Sequence, residues 1–391
     1  MIENHDILCF CNDWGGDPLS KIQIARRLAR KNRILWVNST GIRNPTVSAH
    51  DFGRAWKKVR QYCEGCISVE DNIWVFSPLV IPFHGNHAAR WINQRWLAAG
   101  LRRACRDLGF RNPMTLSFVP TSAAVAGSLG ESRVIYYCVD EYSRFTGADR
   151  AAILEMEQKL IAKSDLVVVS ASRLYQSKRS HNPNTVLITH GVDLDHFRKA
   201  CLPETQIPRD CPVRRPAIGF FGLVEDWVDL EVIRFLAAAR PDWSFPVIGE
   251  VRTNISGFSH LPNVVFLGRR DYGSLPGYCK GFDVAILPFV VNELTLSANP
   301  LKLREYLAAG LPVVASPIPE VAKFSSIVRM AATPQEYLEQ VDGILSRGEA
   351  GPRLKISRLM ENESWDAKVE QLSEYVVDLN HRRPVAAGHV A

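Results

Sequence analysis

Lys302 and Glu305 are the residues whose types and spacing point most directly to chemistry in this sequence. Three residues apart on a helix, their side chains share one face. A cation in a first helical turn opposes the helix dipole, so Lys302 calls for an anionic partner such as a diphosphate. Glu305 could accept hydrogen bonds from a ribose diol. The pair suits a nucleotide, and the alternative is an ordinary i, i+3 ion pair on a solvated face.

The surrounding residues predict a short helix with an anion-binding start. Asn299 is a favoured N-cap residue and Pro300 a favoured first helical residue, while Gly310 and Pro312 predict the end of the helix. The first N–H groups of such a helix lack intrahelical partners and attract phosphate. In this chain those groups belong to Leu301, Lys302 and Leu303.

Two glycines and a histidine give weaker signals. Gly15 and Gly16 follow a predicted strand and would let the backbone approach a ligand closely, although a plain tight turn needs the same glycines. His190 is a candidate to line a cleft, and a purely structural histidine is the alternative.

Two short patterns have the spelling of metal sites but lack the neighbouring ligands. Asp193 and Asp195 form a D-x-D, and Cys63 and Cys66 form a C-x-x-C without a second pair at zinc-ribbon spacing. We therefore expect no bound metal and no other cofactor.

The whole chain has the length and composition of a two-domain globular protein. Its 391 residues exceed the size at which one core stops growing, and its 46% hydrophobic and 23% charged residues are ordinary values. A net charge of +6 permits a polyanionic ligand or an anionic membrane surface but falls short of a nucleic-acid-binding signature. Nine cysteines at irregular spacings and a start without signal-peptide character predict a reduced, cytoplasmic protein.

Strand-like and helix-like segments alternate in two series along the chain. In the first series, strands are predicted at 7–11, 34–37, 114–118, 134–137, 166–169 and 185–188, and helices at 19–30, 87–108 and 151–163. In the second series, strands are predicted at 217–221, 245–248, 264–267, 284–287 and 313–315. This alternation predicts the α/β class, with two Rossmann-like domains that face each other across a cleft.

The predicted helix at 87–108 is strongly basic. It contains Trp91 and Trp96, and Asp107 is its one acid. The arginines in and just after it are Arg90, Arg95, Arg102, Arg103, Arg106 and Arg111. Basic helices with interfacial aromatic residues can lie on anionic membranes, and a packing helix with a solvated basic face is the alternative.

The run Pro-Leu-Lys-Leu-Arg-Glu-Tyr-Leu-Ala-Ala-Gly-Leu-Pro-Val-Val at 300–314 resembles the donor-binding region of two-domain glycosyltransferases of the family 4 type, which have the GT-B fold. The His-Gly-Val-Asp stretch at 190–193 is similar to their interdomain turn. The resemblance implies a nucleoside-diphosphate sugar as donor, with Glu305 on the ribose and the N–H groups of Leu301 and Lys302 on the diphosphate. Asn299 and Gly222, which lies in the first glycine turn of the domain, complete the predicted donor site.

The sequence departs from the family pattern in two places. The family has a second glutamate eight residues before the ribose-binding one, where this chain has Ser297. It also has an arginine and a lysine after the first glycine turn, whereas the residues that follow Gly222 include no cation. Lys302, with Arg269 or Arg270, is therefore a candidate to neutralise the diphosphate, and surface arginines are the alternative at 269 and 270.

The chain also resembles the glucuronosyltransferase of xanthan assembly, an inverting enzyme of the same layout whose base is an aspartate after a central strand of the first domain. Asp140 stands in a similar place, after the predicted strand 134–137. It is the predicted base that takes the proton from an acceptor hydroxyl. The alternative is that Asp140 or Glu141 caps the following turn.

These resemblances imply an acceptor-binding domain over 1–195 and a nucleotide-sugar-binding domain over 216–362, joined by a linker at 196–215. A helix over 363–380 would pack back across the domains, and 381–391 would be a disordered tail.

The implied function is that of a metal-independent hexosyltransferase in bacterial-type exopolysaccharide or cell-surface glycan synthesis. It would move a sugar to a saccharide or lipid-linked saccharide, in the cytoplasm or on the inner face of the plasma membrane, with no nucleic-acid partner. A sugar-nucleotide 2-epimerase and a non-catalytic nucleotide-sugar-binding subunit are the alternatives.

Overall fold

The computed structural model describes residues 1–15, 17–39, 65–79, 87–145, 147, 149–212 and 214–381. The chain divides into two compact units. Unit 1 comprises Met1–Thr189 and the residues from Lys368 onward, and unit 2 comprises His190–Ala367.

Unit 1 contains a sheet with eight strands among its described residues. They are β1 (Asp6–Phe10), β2 (Arg33–Val37), β3 (Cys66–Glu70), β4 (Ile73–Phe76), β5 (Met114–Ser117), β6 (Arg133–Cys138), β7 (Leu166–Val169) and β8 (Thr185–Leu187). Their order in the sheet is β3-β4-β2-β1-β5-β6-β7-β8. All neighbours are parallel except β3, which pairs antiparallel with β4 at the edge.

Helices cover this sheet because one face of each is apolar. They are α1 (Ser20–Ala29), α2 (His87–Asp107), α3 (Arg150–Lys163) and α4 (Ser172–Lys178), with 3-10 turns at Pro120–Ala124 and Tyr142–Arg144. Leu97, Leu101 and Ala104 of α2 pack into one core cluster with Leu8 and Leu35 of the central strands. The carboxylate of Asp149 accepts the N–H of Ala152 and caps the start of α3.

Unit 2 contains a second, fully parallel sheet with six strands among its described residues. They are β9 (Ile218–Phe221), β10 (Phe245–Ile248), β11 (Val264–Gly268), β12 (Val284–Leu287), β13 (Val313–Ala315) and β14 (Val328–Met330). Their order is β11-β10-β9-β12-β13-β14.

The helices of unit 2 form two layers, one on each face of its sheet. They are α5 (Leu194–Arg198), α6 (Leu230–Ala239), α7 (Leu275–Gly281), α8 (Leu301–Ala308), α9 (Pro319–Ala322), α10 (Pro334–Ser346), α11 (Leu354–Arg358) and α12 (Trp365–His381), which continues into unit 1. Phe221 packs in a cluster with residues of α7 and α8, and its neighbour Phe220 packs in another with residues of α6 and α10. Successive strand residues thus serve opposite layers.

The predicted α/β class is confirmed, and each predicted strand and helix listed for the two series is present with ends within one residue of the prediction. The sequence patterns missed β3, β4 and β14. Ile67 and Val69 of β3 are both exposed, so this edge strand lacks the alternation of buried and exposed residues that a half-buried strand shows.

The segment at 196–215 is part of unit 2 rather than a free linker. It begins within α5, and Lys280 of α7 donates to the carbonyls of Leu202 and Pro203. Asp210 accepts hydrogen bonds from Arg270 and Tyr278. The predicted linker is therefore wrong: the prolines of this segment interrupt regular structure, but they do not prevent it from packing on unit 2. Val213, Cys63, Gly16 and the predicted tail from residue 382 onward lie outside the described residues.

The described part of the chain contains no helix that combines the length and the apolar composition needed to span a bilayer.

Three glycines lie side by side at the carboxyl edge of the second sheet, just after β9, just after β10 and at the end of β11. Gly222, Gly249 and Gly268 have φ angles of 155°, 142° and 68°. The N–H of Gly222 donates to Ile248, and the N–H of Gly249 donates to the carbonyl of Gly268. A Cβ atom at Gly249 would lie 1.8 Å from the carbonyl oxygen of Gly222, so the two turns can approach this closely only because residue 249 has no side chain.

We predict that Gly249→Ala lowers the free energy of unfolding by about 3 kcal/mol or more, because it combines a backbone clash with a strained φ. Gly273→Ala is the matched control, since no described atom lies within 4 Å of its added Cβ and its φ is ordinary. It should change stability by less than about 0.5 kcal/mol. Urea unfolding measures both, and equal stability of the two variants would contradict the close approach.

Candidate functional site

Lys302 and Glu305 meet at the start of α8, as their spacing predicts. The Lys302 Nζ donates to Glu305 Oε2 at 2.9 Å. The Glu305 side chain is only 3% exposed and that of Lys302 is 23% exposed. The pair is therefore not the solvated surface pair of the alternative interpretation, because its carboxylate is buried.

Lys302 also lies against the first glycine turn of unit 2. Its Nζ is 5.0 Å from the centre of the Phe221 ring, and its Cε would be 3.7 Å from a Cβ added at Gly222. The ammonium group thus lies where β9 ends and α8 begins. Fixed positive charge at the carboxyl edge of a parallel sheet is suited to a phosphate group.

Tyr306 holds these two elements in register. Its buried hydroxyl accepts the N–H of Phe221 at 2.8 Å and donates to the Phe221 carbonyl at 3.2 Å. The last residue of β9 thereby satisfies its backbone through a side chain of α8. The distance between the Gly222 turn and Lys302 depends on this connection.

The backbone at the start of α8 differs from the prediction by one residue. Pro300 is the N-cap, with an extended ψ of 112°, and Leu301 is the first helical residue. The N–H of Leu303 donates to the Pro300 carbonyl at 3.3 Å, whereas those of Leu301 and Lys302 have no acceptor among the described residues. Two N–H groups, not three, are therefore available to a ligand.

Asn299 is not the helix cap that the sequence analysis predicted. Its Oδ1 accepts a hydrogen bond of 2.6 Å from Nη1 of Arg304. The buried Arg304 also donates to Glu363 at 2.9 Å. Asn299 was wrongly assigned as a cap because a buried guanidinium one turn along the helix takes its side-chain oxygen, and this contact fixes the loop before α8.

The two arginines after β11 lie in different surroundings. Arg269 is exposed at the same sheet edge as Gly222, two strands away. Arg270 donates to Asp210 and to the hydroxyl of Tyr278, so its guanidinium serves the packing of the 196–215 segment. Ser297 is buried and donates to the Glu293 carbonyl at 3.1 Å.

In unit 1, Asp140 lies at the carboxyl edge of the sheet, two residues after β6. Its carboxylate forms no hydrogen bond or ion pair with the residues that the structure describes, and the 3-10 turn that follows has no side-chain cap. The turn-capping alternative is therefore not what the structure shows. Burial raises the pKa of Asp140 to about 6, although the nearby Lys21 ammonium acts to lower it.

Lys21, in the first turn of α1, acts on this carboxylate through its charge. Its Nζ donates to Asn12 Oδ1 at 3.1 Å and lies 5.5 Å from the centre of the Tyr142 ring. Burial lowers the pKa of Lys21, while Cys11 and Asp140 act to raise it. A partly buried carboxylate with a raised pKa beside a cation is suited to accept a proton near neutral pH.

A buried polar network holds the backbone next to Asp140. Lys178 donates to Glu157 at 2.6 Å and to Glu141 at 3.2 Å, and the Tyr136 hydroxyl donates to Glu157 at 2.8 Å. Burial alone would lower the pKa of Lys178, but Glu157 and the other nearby groups raise it above its ordinary value. The Lys178 ammonium in this network is paired with carboxylates, whereas the Asp140 carboxylate forms no ion pair with a described residue.

For Gly15 and His190, the sequence allowed either a role in a ligand site or a purely structural role. Gly15 is exposed with a φ of 104°, so it needs glycine for its turn. The buried His190 ring lies 5.9 Å from that of Trp365 within unit 2. The next residue, Gly191, would place a Cβ 2.8 Å from the Trp365 backbone, and Val192 exchanges backbone hydrogen bonds with 363 and 365.

The described residues contain no group of three or more histidine, cysteine or acidic side chains that could hold a metal. Sequence reasoning missed Lys21, Lys178, Arg304 and Tyr306. The signal for Tyr306 was available, because a tyrosine in the apolar stripe of a helix needs a hydrogen-bond partner. The contacts of Arg304 with Glu363 and of Lys178 with Glu157, like the position of Lys21 near Asp140, join residues far apart in the sequence and could not be predicted from local patterns.

Comparison with known proteins gives a family match within the second half of the chain. Residues 215–347 match the family model of the glycosyl transferases group 1. The chain is also 29% identical over 267 residues to TuaH of Bacillus subtilis (strain 168), which is provisionally named a teichuronic acid biosynthesis glycosyltransferase. That match covers 62% of this chain and 66% of TuaH, just under two thirds of the relative.

Solved structures share the fold of the whole chain. Sucrose-phosphate synthase from Thermosynechococcus elongatus has a TM-score of 0.69 at 15% identity and covers 97% of this chain and 100% of its own. Anabaena HepE, solved in complex with UDP-glucose, has a TM-score of 0.67 at 13% identity and covers 95% and 99%. The predicted GT-B fold class is confirmed.

We predict that Asp140→Asn stabilises the protein at pH 7. The folded state holds the Asp140 proton more tightly than the unfolded state, in which the pKa is near 3.8. Wild-type stability therefore falls as the pH rises between about 4 and 6, and the asparagine variant avoids this loss. The expected gain is about 1–2 kcal/mol at pH 7 after allowance for partial exposure, and close to zero below about pH 4.

Urea unfolding at both pH values measures this difference. Asp165→Asn is the contrasting variant, because the Asp165 carboxylate accepts the N–H of Val134 at 2.8 Å and should give no gain. A loss of stability in Asp140→Asn at pH 7 would assign Asp140 a structural role instead.

Proposed function

We propose that this chain, whose residues 215–347 are a group 1 glycosyl transferase domain, transfers a sugar from a nucleoside-diphosphate sugar to a hydroxyl of a saccharide or lipid-linked saccharide. The observation that carries the proposal is the Lys302–Glu305 pair at the start of α8, with the Lys302 ammonium against the Gly222 turn. It belongs to the stretch that matches the family model.

The donor diphosphate would lie between the Gly222 turn and the start of α8. The N–H groups of Leu301 and Lys302 and the Lys302 ammonium would share its charge. Arg269, at the same edge, is a further candidate for this charge. Glu305 would exchange its contact with Lys302 for the hydroxyl groups of the ribose. Binding thus replaces one ion pair with two charge-assisted contacts rather than uncovering a lone buried charge.

The same groups would lower the barrier to transfer. As the bond between the anomeric carbon and the diphosphate oxygen breaks, negative charge builds on the leaving group. Lys302 and the two N–H groups are already fixed in position by Tyr306 and by the Arg304 contact with Asn299. Charge stabilisation by such preorganised groups needs no reorganisation during the reaction.

Asp140 would act as the base at the acceptor. Its carboxylate would take the proton from the acceptor hydroxyl, whose oxygen then forms the new bond to the anomeric carbon while the nucleoside diphosphate departs. No described group competes for this carboxylate through a hydrogen bond. Gly15, on the same sheet edge, is a candidate to let the acceptor approach the backbone.

The biological setting of the proposal is the synthesis of a bacterial-type exopolysaccharide or cell-surface glycan. TuaH supports this setting through its name, and HepE makes uridine diphosphate sugars the first donors to test. The eight cysteines of the described residues are unpaired, which suits a cytoplasmic protein that works without disulfides, on or near the inner face of the plasma membrane. The proposal requires neither a metal nor another cofactor.

We predict that Lys302→Ala and Asp140→Asn each lower kcat by about 100-fold or more, because each removes an interaction made in the transition state. The measurement is acceptor-dependent release of nucleoside diphosphate from a panel of nucleotide sugars, with a lipid-linked saccharide extract as acceptor. Lys159→Ala is the matched control, since it breaks a similar Lys–Glu pair on the exposed surface of α3 and should keep wild-type activity.

Three other results would contradict the proposal. Conversion of the sugar nucleotide without any acceptor would indicate an epimerase. Donor binding without turnover would indicate a binding subunit. Full activity in Lys302→Ala would remove that residue from the donor site.

We also predict that kcat/KM rises with pH through a midpoint near 6, because only ionised Asp140 can accept the proton. Lys21→Met should move the midpoint to higher pH, since the lost ammonium had favoured the carboxylate. Lys31→Met is the control, because Lys31 pairs with Glu3 in an exposed position. A midpoint that Lys21→Met leaves in place would show that another group governs the profile.

A further inference from the structure

Helix α2 has an exposed face on which two tryptophans flank a group of arginines. Trp91 is 56% exposed and Trp96 is 50% exposed. The face consists of Trp91, Arg95, Trp96, Arg102, Arg103 and Arg106, all exposed, and is called the Trp–Arg face below. Large aromatic side chains that remain exposed on one face of a helix point to an interaction surface.

The opposite side of α2 fixes the orientation of this face. Leu97, Leu101 and Ala104 are buried in the unit 1 core, and Gly100 lies against the Phe76 ring so closely that an added Cβ would be 2.9 Å from it. The helix cannot rotate its tryptophans inward without breaking these contacts. Their exposure is therefore a property of the fold.

The geometry of the helix groups the charges between the two rings. At about 100° per residue, Trp91 and Trp96 stand about 140° apart around the axis, and the four arginines of the face fall within that arc. The Arg95 guanidinium stacks 4.2 Å from the centre of the Trp91 ring. The result is a cationic strip along the helix with an aromatic ring at each margin.

The charge of the strip is largely uncompensated. Arg103 lies 3.6 Å from Asp107, and Arg102 donates to the carbonyl of Ser128. Arg95 and Arg106 form no ion pair with a residue that the structure describes. A second copy of the same face would meet it with like charge, so an anionic partner is favoured.

We propose that the Trp–Arg face docks the protein on an anionic lipid bilayer. The helix would lie along the surface with both indole rings at the level of the headgroups and the guanidinium groups against lipid phosphates. Tryptophan suits this position because it has an apolar body and a polar N–H. The inference rests on the proposed function in one respect, since it gives a lipid-linked acceptor as the reason for docking.

Co-sedimentation of the full chain with vesicles tests the proposal. We expect binding to vesicles of phosphatidylcholine mixed with phosphatidylglycerol, and much weaker binding to phosphatidylcholine alone. The affinity of the Trp91→Gln/Trp96→Gln variant for the mixed vesicles should be at least about ten-fold lower than that of the wild type. In the Arg95→Gln/Arg106→Gln variant, the affinity for these vesicles should fall about five-fold for each arginine removed. Added salt should weaken the binding of this variant less than that of the wild type.

Two matched variants control for composition. Arg209→Gln/Arg214→Gln removes the same charge from exposed residues of unit 2, and Val377→Gln removes an exposed apolar side chain from α12. Both should bind like the wild type. Equal losses in Arg209→Gln/Arg214→Gln would show that net charge alone drives binding, and wild-type binding by the tryptophan variant would likewise overturn the proposal.

The same preparations separate this proposal from the proposed function. Transfer to an acceptor dispersed in detergent should be unchanged in the tryptophan variant, whereas transfer to acceptor in vesicles should fall. Vesicle binding without transfer to any acceptor would overturn the proposed function and leave the docking face in place. Transfer without vesicle binding would overturn only the docking face.

Discussion

The hydroxyl of Tyr306 is the contact on which the arrangement of unit 2 depends. A parallel strand ends with backbone groups that no neighbouring strand satisfies, and here one phenol satisfies both groups of Phe221. Because Tyr306 and Lys302 belong to the same helix, the bond that completes β9 also places the ammonium at the glycine turn. Fold and candidate site are fixed by the same hydrogen bonds.

Asp140 differs from two other buried charged residues, one in each unit. Arg304 and Lys178 each have two side-chain partners, so their burial is compensated and their role is to hold neighbouring loops in place. Asp140 is left without such partners at an edge of the first sheet. A folded protein that tolerates an uncompensated carboxylate gives up stability at that position, which is the usual mark of a residue kept for chemistry.

The fold class could be predicted from the sequence because the strands are short apolar runs bounded by glycine and proline. Such runs are a local signal. It also placed Lys302 and Glu305 together, since i, i+3 spacing on a helix is local as well. Asn299 could not be assigned correctly, because its oxygen is taken by a guanidinium whose burial depends on Glu363. Lys21 was missed for a related reason: it approaches Asp140 from a helix more than a hundred residues earlier in the chain. Such contacts are products of the tertiary fold.

The close contact between Gly191 and Trp365 has a consequence for the topology of the whole chain. The stretch that enters unit 2 and the stretch that leaves it are joined by backbone hydrogen bonds between Val192 and residues 363 and 365. Unit 2 is thus an insertion in the sequence of unit 1, and the two ends of the insertion are adjacent. Modules with adjacent ends can be exchanged or circularly permuted without stretching their host. This junction is therefore a suitable place at which to replace unit 2 by another module while unit 1 is kept.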